Sequence, residues 1–314
     1  MLVSLGLPVD RAGADAELAT AAGIAACSRA AEAAGIDSVF VTDHPAPDER
    51  WLRRGGHPTL DPFVALAFAA AATSTLRLHT NLLVVPYRNP FLAAKAVASL
   101  DVLSGGRVTL GIGVGYLEAE FDALGASYTH RAAVVDDALV AMKAAWTGAP
   151  VDRHGPGYAA RGTVVLPTPL QRPHPPIWVG GNSLAALRRA VEHGSGWSPM
   201  PSPPATATML GTPALDSVAA LATRVERLQA MTAAAGRTDA LDVAAIPLSV
   251  SGFASGKWEA AAVVDEALAL AGAGATVLVV NLAGKTIAAF RAELDRFAEH
   301  VLPHLPRGVA GSPA

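Results

Sequence analysis

Residues 176–194 read Pro-Ile-Trp-Val-Gly-Gly-Asn-Ser-Leu-Ala-Ala-Leu-Arg-Arg-Ala-Val-Glu-His-Gly. This is a strand, a turn and a helix in direct succession. Ile177, Trp178 and Val179 form a short apolar run, as strands covered on both faces do. Gly180 and Gly181 break the run. Asn182 or Ser183 supplies an N-cap oxygen, and the Ala- and Leu-rich segment Ser183–His193 follows as a helix ended by Gly194.

The same unit recurs over the whole length. Strands are expected at Leu2–Leu7, Ser38–Thr42, Leu76–Val85, Arg107–Gly113, Pro176–Gly180, Gly196–Pro199, Asp242–Ser249 and Thr276–Asn281. Helices are expected at Asp15–Ala34, Asp61–Ser74, Pro90–Leu103, Arg131–Thr147, Ser183–His193, Ala214–Ala235, Trp258–Ala271 and Thr286–Leu302. Alternation of this kind requires a parallel sheet, and eight units close into a single (β/α)8 TIM barrel. The sixth strand is placed partly because the pattern needs it. We expect one domain over 1–305 and a frayed tail over 306–314. The Pro- and Gly-rich stretch 148–176 reads as an insertion before the fifth strand, and 200–213 as a Pro-rich loop after the sixth.

Composition narrows the class. With 314 residues, 51% of them hydrophobic and 16% charged, the chain has ample material for a core and is not disordered. Cys27 is the single cysteine, which rules out a disulfide scaffold and fits a reducing, cytoplasmic location. A net charge of −3 leaves no basic footprint for nucleic acid. The N-terminal run lacks a basic region or cleavage site. The uncharged stretch Ala267–Gly284 is long enough for a membrane span, but its glycines make it a helix end, a turn and a buried strand. No membrane partner is therefore expected.

In such a barrel, chemistry sits at the C-terminal ends of the strands. Asp43 and His44 follow the second strand. A histidine there can move a proton near neutral pH, whereas the adjacent Asp43 points to the other side of the pleat; a plain capped turn is an equally good reading. Gly180, Gly181, Asn182 and Ser183 form a turn whose N–H groups and helix dipole suit an anion, although a simple helix cap needs the same residues. Gly-Ile-Gly-Val-Gly at 111–115 lacks dinucleotide-fingerprint spacing; its glycines either admit a flat ligand or allow tight packing. Glu118, Glu120 and Asp122 read as a solvated helix start, with Glu120 in reach of Arg131. No metal site is expected: the strands lack an HxH pair, and Pro303 separates His300 from His304. A G-x-S-x-G elbow is absent, and no lysine falls at a strand end.

Thr-Asp-His (42–44), Asn-Leu-Leu-Val-Val-Pro-Tyr-Arg-Asn-Pro (81–90), residues 103–121 and Pro-Ile-Trp-Val-Gly-Gly-Asn-Ser (176–183) together resemble the bacterial luciferase-like monooxygenase superfamily, and within it the branch using the deazaflavin coenzyme F420. The resemblance implies an oxidoreductase passing hydride between the deazaflavin ring and a small organic substrate. The runner-up is an FMN-dependent monooxygenase served by a flavin reductase; a cofactor-binding protein without turnover is a third reading. The resemblance also implies a homodimer. It makes His44 the proton donor or acceptor and Asp43 a cofactor contact. It places Leu82 and Leu83, with Val85, at a bulge backing the ring, where the Leu82–Leu83 peptide would be cis. It puts Val114 and Gly115 along the cofactor, and its phosphate at Gly180, Gly181, Asn182, Ser183 and Leu184. Sugar-phosphate dehydrogenases of the family carry a Glu where Tyr116 stands and an Asn where Ala119 stands, so a sugar phosphate is not the expected substrate. The deazaflavin differs from FMN by an acidic lactyl–glutamate tail, expected to leave over the loops bearing Arg53, Arg54 or Arg88.

Overall fold

The structure, a computed structural model, describes residues 1–9 and 17–306, without the side chains of 250, 251 and 254. Eight parallel strands close into a barrel. In chain order they are β1 (Leu2–Gly6), β2 (Ser38–Val41), β3 (Arg77–Val84), β4 (Val108–Gly113), β7 (Ile177–Gly180), β8 (Gly196–Ser198), β9 (Asp242–Ala245) and β10 (Val277–Val280). Closure comes from β1, which pairs with β2 on one side (Ser4 opposite Ser38) and with β10 on the other (Leu2 opposite Val277). The expected barrel is thus the observed one, sixth strand included. Pro306 is the only residue of the expected frayed tail that lies within the described residues.

The expected helices form as α1 (Ala21–Ala33), α3 (Pro62–Ala72), α4 (Pro90–Ser104), α6 (Arg131–Trp146), α7 (Leu184–His193), α9 (Val218–Ala234), α11 (Ala260–Gly272) and α12 (Ile287–His300). Their starts follow local chemistry. Thr20, Asp61, Asn89, Ser183, Ser217 and Thr286 each accept a first-turn N–H through the side chain. No helix among the described residues is long and apolar enough to cross a membrane.

Shorter helices occupy the loops: α2 (Glu49–Arg53), α5 (Glu118–Ala123), α8 (Pro204–Leu210) and α10 (Val250–Ser255). The stretch 148–176, read as irregular, contains an antiparallel hairpin of β5 (Val151–Gly155) and β6 (Tyr158–Thr163). The ninth strand is shorter than expected and stops at Ala245. Pro247, without an N–H, cannot continue the ladder.

Strand alternation produces two cores. Val39 and Val41, Ile177 and Val179, and Leu278 and Val280 join the large cluster under the helices. Their neighbours Phe40, Trp178, Val277 and Val279 form a separate cluster, which fills the barrel. His79 stands in this interior, its ring 4.8 Å from that of Trp178 and 6.0 Å from that of Phe40. Its Nδ1 lies 3.2 Å from Ser4 Oγ, and its buried Nε2 has no partner. Complete burial pulls its pKa down to about 3.

His79 therefore stays neutral in the fold, while the unfolded chain takes up a proton below pH ~6.5. Stability should fall as pH drops through that window, by about 2 kcal/mol at pH ~5 from this group. Urea unfolding of wild type and His79→Gln at neutral and at mildly acidic pH checks this. The variant should be less pH-sensitive; equal sensitivity would clear His79 of the effect.

Candidate active site

The loops after β2, β3 and β4 meet at the C-terminal mouth. His44 lies just beyond β2 and is mostly buried, its Nδ1 3.2 Å from Glu120 Oε2. Glu120, in the short helix α5, is fully buried. Two more donors reach it: the Tyr87 hydroxyl (2.9 Å, to Oε2) and the Ala46 N–H (3.1 Å, to Oε1). An ionised Glu120 only accepts, and all three contacts are then met with the His44 proton on Nδ1, which leaves Nε2 for other work. Burial, followed by the charge of Glu120, raises the Tyr87 pKa and pushes that of Tyr116 up to about 12, so both remain phenols at neutral pH.

Rings surround this imidazole. Trp51, on α2, lies 4.6 Å from it, His57 5.2 Å and Tyr116 5.9 Å, the last two edge-on. Thr42 Oγ1 lies 3.3 Å from His57 Nε2. Asp43 turns away from His44. Its oxygens receive the Arg88 guanidinium as a fork (2.6 and 2.8 Å) and the Val84 N–H (2.9 Å), a brace between the ends of β2 and β3.

The floor of the mouth is built around Leu82. A Cβ on Gly180 would sit 1.9 Å from Leu82 Cδ1, so Leu82 packing demands the glycine. A Cβ on Gly113 would only touch Leu82, at 3.5 Å. Leu82 remains partly exposed, while Leu83 and Val85 turn into the large core. The expected register break in β3 is present, between Thr80 and Leu83. The cis peptide is not Leu82–Leu83 but Asn81–Leu82, one residue earlier. Val114 packs against the large core from its edge. Gly115, with φ +78°, is confined by Val84 and Phe121, so packing explains it.

The turn after β7 is partly committed. The Gly181 N–H donates to Ser198 O (3.2 Å). The buried Asn182 amide is spent on Met200 and Pro213, locking the loop after β8. Ser183 Oγ caps α7 through Ala186 N (3.2 Å). The N–H groups of Ser183, Leu184 and the following Ala185 have no partner among the described residues, and Leu184 is exposed.

The sequence reading missed Glu120, Trp51, His57 and Tyr87. Glu120 is not a solvated helix residue, and Arg131 does not pair with it; that guanidinium donates to Tyr128 O and covers the Tyr128 ring. The available signal was Phe121: an apolar residue next to Glu120 on one turn marks that side as inward. Arg88 and Arg53 do not offer free charge either, being paired with Asp43 and Glu49. No group of three or more potential metal ligands occurs among the described residues.

The family model for luciferase-like monooxygenases matches residues 3–270. The chain belongs to this family. An uncharacterized protein of Mycobacterium tuberculosis is 32% identical over 238 residues, 72% of this chain and 76% of that one. The F420-dependent glucose-6-phosphate dehydrogenase of Beutenbergia cavernae is 36% identical over 173 residues, 53% of this chain and 49% of that one. Among solved structures, the FMN-bound type II Baeyer-Villiger monooxygenase of Pseudomonas putida superposes with TM-score 0.76 over 97% of this chain and 98% of that one, at 18% identity. Members of this family are oxidoreductases or monooxygenases.

The floor can be tested directly. Gly180→Ala should cost about 1–3 kcal/mol, because the added methyl displaces Leu82. In a Leu82→Ala background the cost should mostly vanish. Denaturant unfolding of the four proteins in this cycle measures the coupling; simple additivity would separate Gly180 from Leu82.

Proposed function

We propose that this protein is an F420-dependent oxidoreductase that moves hydride between the deazaflavin ring and a small, uncharged organic substrate. The observation that carries the reading is the His44–Glu120 pair: an imidazole whose Nδ1 is held by a buried carboxylate and whose Nε2 is left for a substrate proton. The residues present suit a flavin-like group. Leu82 and Gly113 offer a flat floor without protruding side chains, and the unpartnered N–H groups of Ser183 and Leu184 suit its phosphate. Asp43, already braced by Arg88, supports the mouth from below. Likeness to the Beutenbergia dehydrogenase, whose name includes F420, supports a deazaflavin.

When bound, the deazaflavin accepts the hydride of a substrate C–H bond, or returns it. In the oxidative direction His44 Nε2 takes the hydroxyl proton as the C–H electron pair leaves, and the substrate becomes a carbonyl. Glu120 holds the ring in place and stabilises the imidazolium. Trp51, His57 and Tyr116 enclose the reacting end, with Tyr116 as a neutral donor. We further propose a homodimer, supported by Val64, Phe68 and Leu92, apolar and exposed on α3 and α4.

Titration with each cofactor, followed by turnover on a panel of small alcohols and carbonyls, tests the assignment. His44→Ala should lower turnover by about 10²–10⁴-fold with cofactor affinity nearly intact. Glu120→Gln should lower it less, because His44 keeps its imidazole but loses the carboxylate that holds it. Tight FMN binding without deazaflavin binding would favour the monooxygenase, which needs a reductase partner. Cofactor binding without turnover on any substrate would favour a carrier.

A further inference from the structure

The first turn of α7 borders an open cavity of about 790 Å³, solvent at its mouth included, between α7, the Pro213 loop and α9. Asn182 and Leu184, the residues flanking Ser183, line it, and Arg224 and Arg227 face them from α9. No carboxylate is among the lining residues. Arg224 is half-buried and fixed: its guanidinium donates to the carbonyls of Asn182 and Ala214, the latter at 3.0 Å. Carbonyls orient this cation without neutralising it. Arg227, one turn further along the same helix face, is exposed and forms no ion pair among the described residues. The cavity thus sets two guanidinium groups, neither in an ion pair among the described residues, beside Asn182 and Leu184 at the start of α7.

We propose that this cavity holds a flexible oligocarboxylate, the acidic tail of the deazaflavin, which passes out beside Ser183 and sets its carboxylates against Arg224 and Arg227. The inference rests on the cofactor reading above. It replaces the expected exit over Arg53, Arg54 or Arg88, where two of the three cations are already paired. Leu184, Leu187 and Pro213 give the tail's methylene groups an apolar wall. No side chain capable of acid–base or nucleophilic chemistry other than Thr223 lines the cavity, so it is suited to holding a ligand rather than transforming one.

The test is equilibrium binding, by fluorescence, of deazaflavin cofactors with short and with long glutamyl tails, alongside the riboside that lacks phosphate and tail. Wild type should bind the long-tailed form about three- to tenfold more tightly than the short-tailed one at low salt, an advantage that shrinks as salt rises. Arg227→Glu should abolish that advantage without changing riboside affinity. Thr223→Glu, which adds a negative charge to the same wall at an exposed site, should do likewise. Tail-independent affinity in wild type, or an advantage that survives both substitutions, would overturn the groove while leaving the cofactor reading in place. Failure of wild type to bind any deazaflavin would overturn the cofactor reading, and this occupant with it.

Discussion

Glu120 is a buried carboxylate with no cationic side chain beside it, and the mouth of the barrel is organised to make that tolerable. A bare carboxylate out of water costs several kcal/mol unless its oxygens are satisfied. Here the donors come from loops far apart in sequence: His44 and Ala46 after β2, and Tyr87 after β3. Each bond therefore also ties one loop to α5, and α5 to β4. Losing the carboxylate would free three donors on two loops together, which is why its effect cannot be confined to one residue.

Asp43 solves the neighbouring problem differently. It too is buried, but a fork from Arg88 neutralises it and Val84 N–H fixes its direction. This brace aligns the ends of β2 and β3, the strands that carry His44 and Leu82. Leu82 then lies over Gly180, so β7 is brought into the same assembly by a contact that any larger residue at 180 would disturb. Charge pairing sets the walls of the mouth and close packing sets its floor.

The barrel was legible because its signals are local. Apolar runs, Ser, Thr, Asp and Asn caps, and terminal glycines such as Gly105, which takes the left-handed conformation, each lie within one turn or strand. The site was legible only at His44 and at the Ser183 cap. Glu120 was missed because an acidic residue between Ala119 and Phe121 resembles surface until the loops after β2 and β3 close over it. Asp43 is read as a cofactor contact from the family resemblance; its pairing with Arg88, 45 residues away, was not legible. Gly180 was read for anion approach, and its closeness to Leu82 and Ile112 O was not legible. The hairpin in 148–176 was hidden by prolines that surround it rather than interrupt it. For Glu120 and Asp43 the deciding partners are remote in sequence, and periodicity does not report such partners.

The contrast between the two carboxylates assigns the chemistry. Asp43 has spent its charge on Arg88 and has little left to stabilise anything else. Glu120 has spent hydrogen bonds but not charge, since the Tyr87 hydroxyl and the Ala46 amide are neutral donors. That remaining charge acts on every titratable group around it in one direction. Together with burial, the larger cause, it keeps the Tyr87 and Tyr116 protons in place. In the proposed hydride transfer, the phenols, held neutral by burial and by this charge, can orient a substrate oxygen but not compete for its proton. His44, with Nδ1 turned to the carboxylate and Nε2 turned away from it, is the group that the proposal leaves to accept.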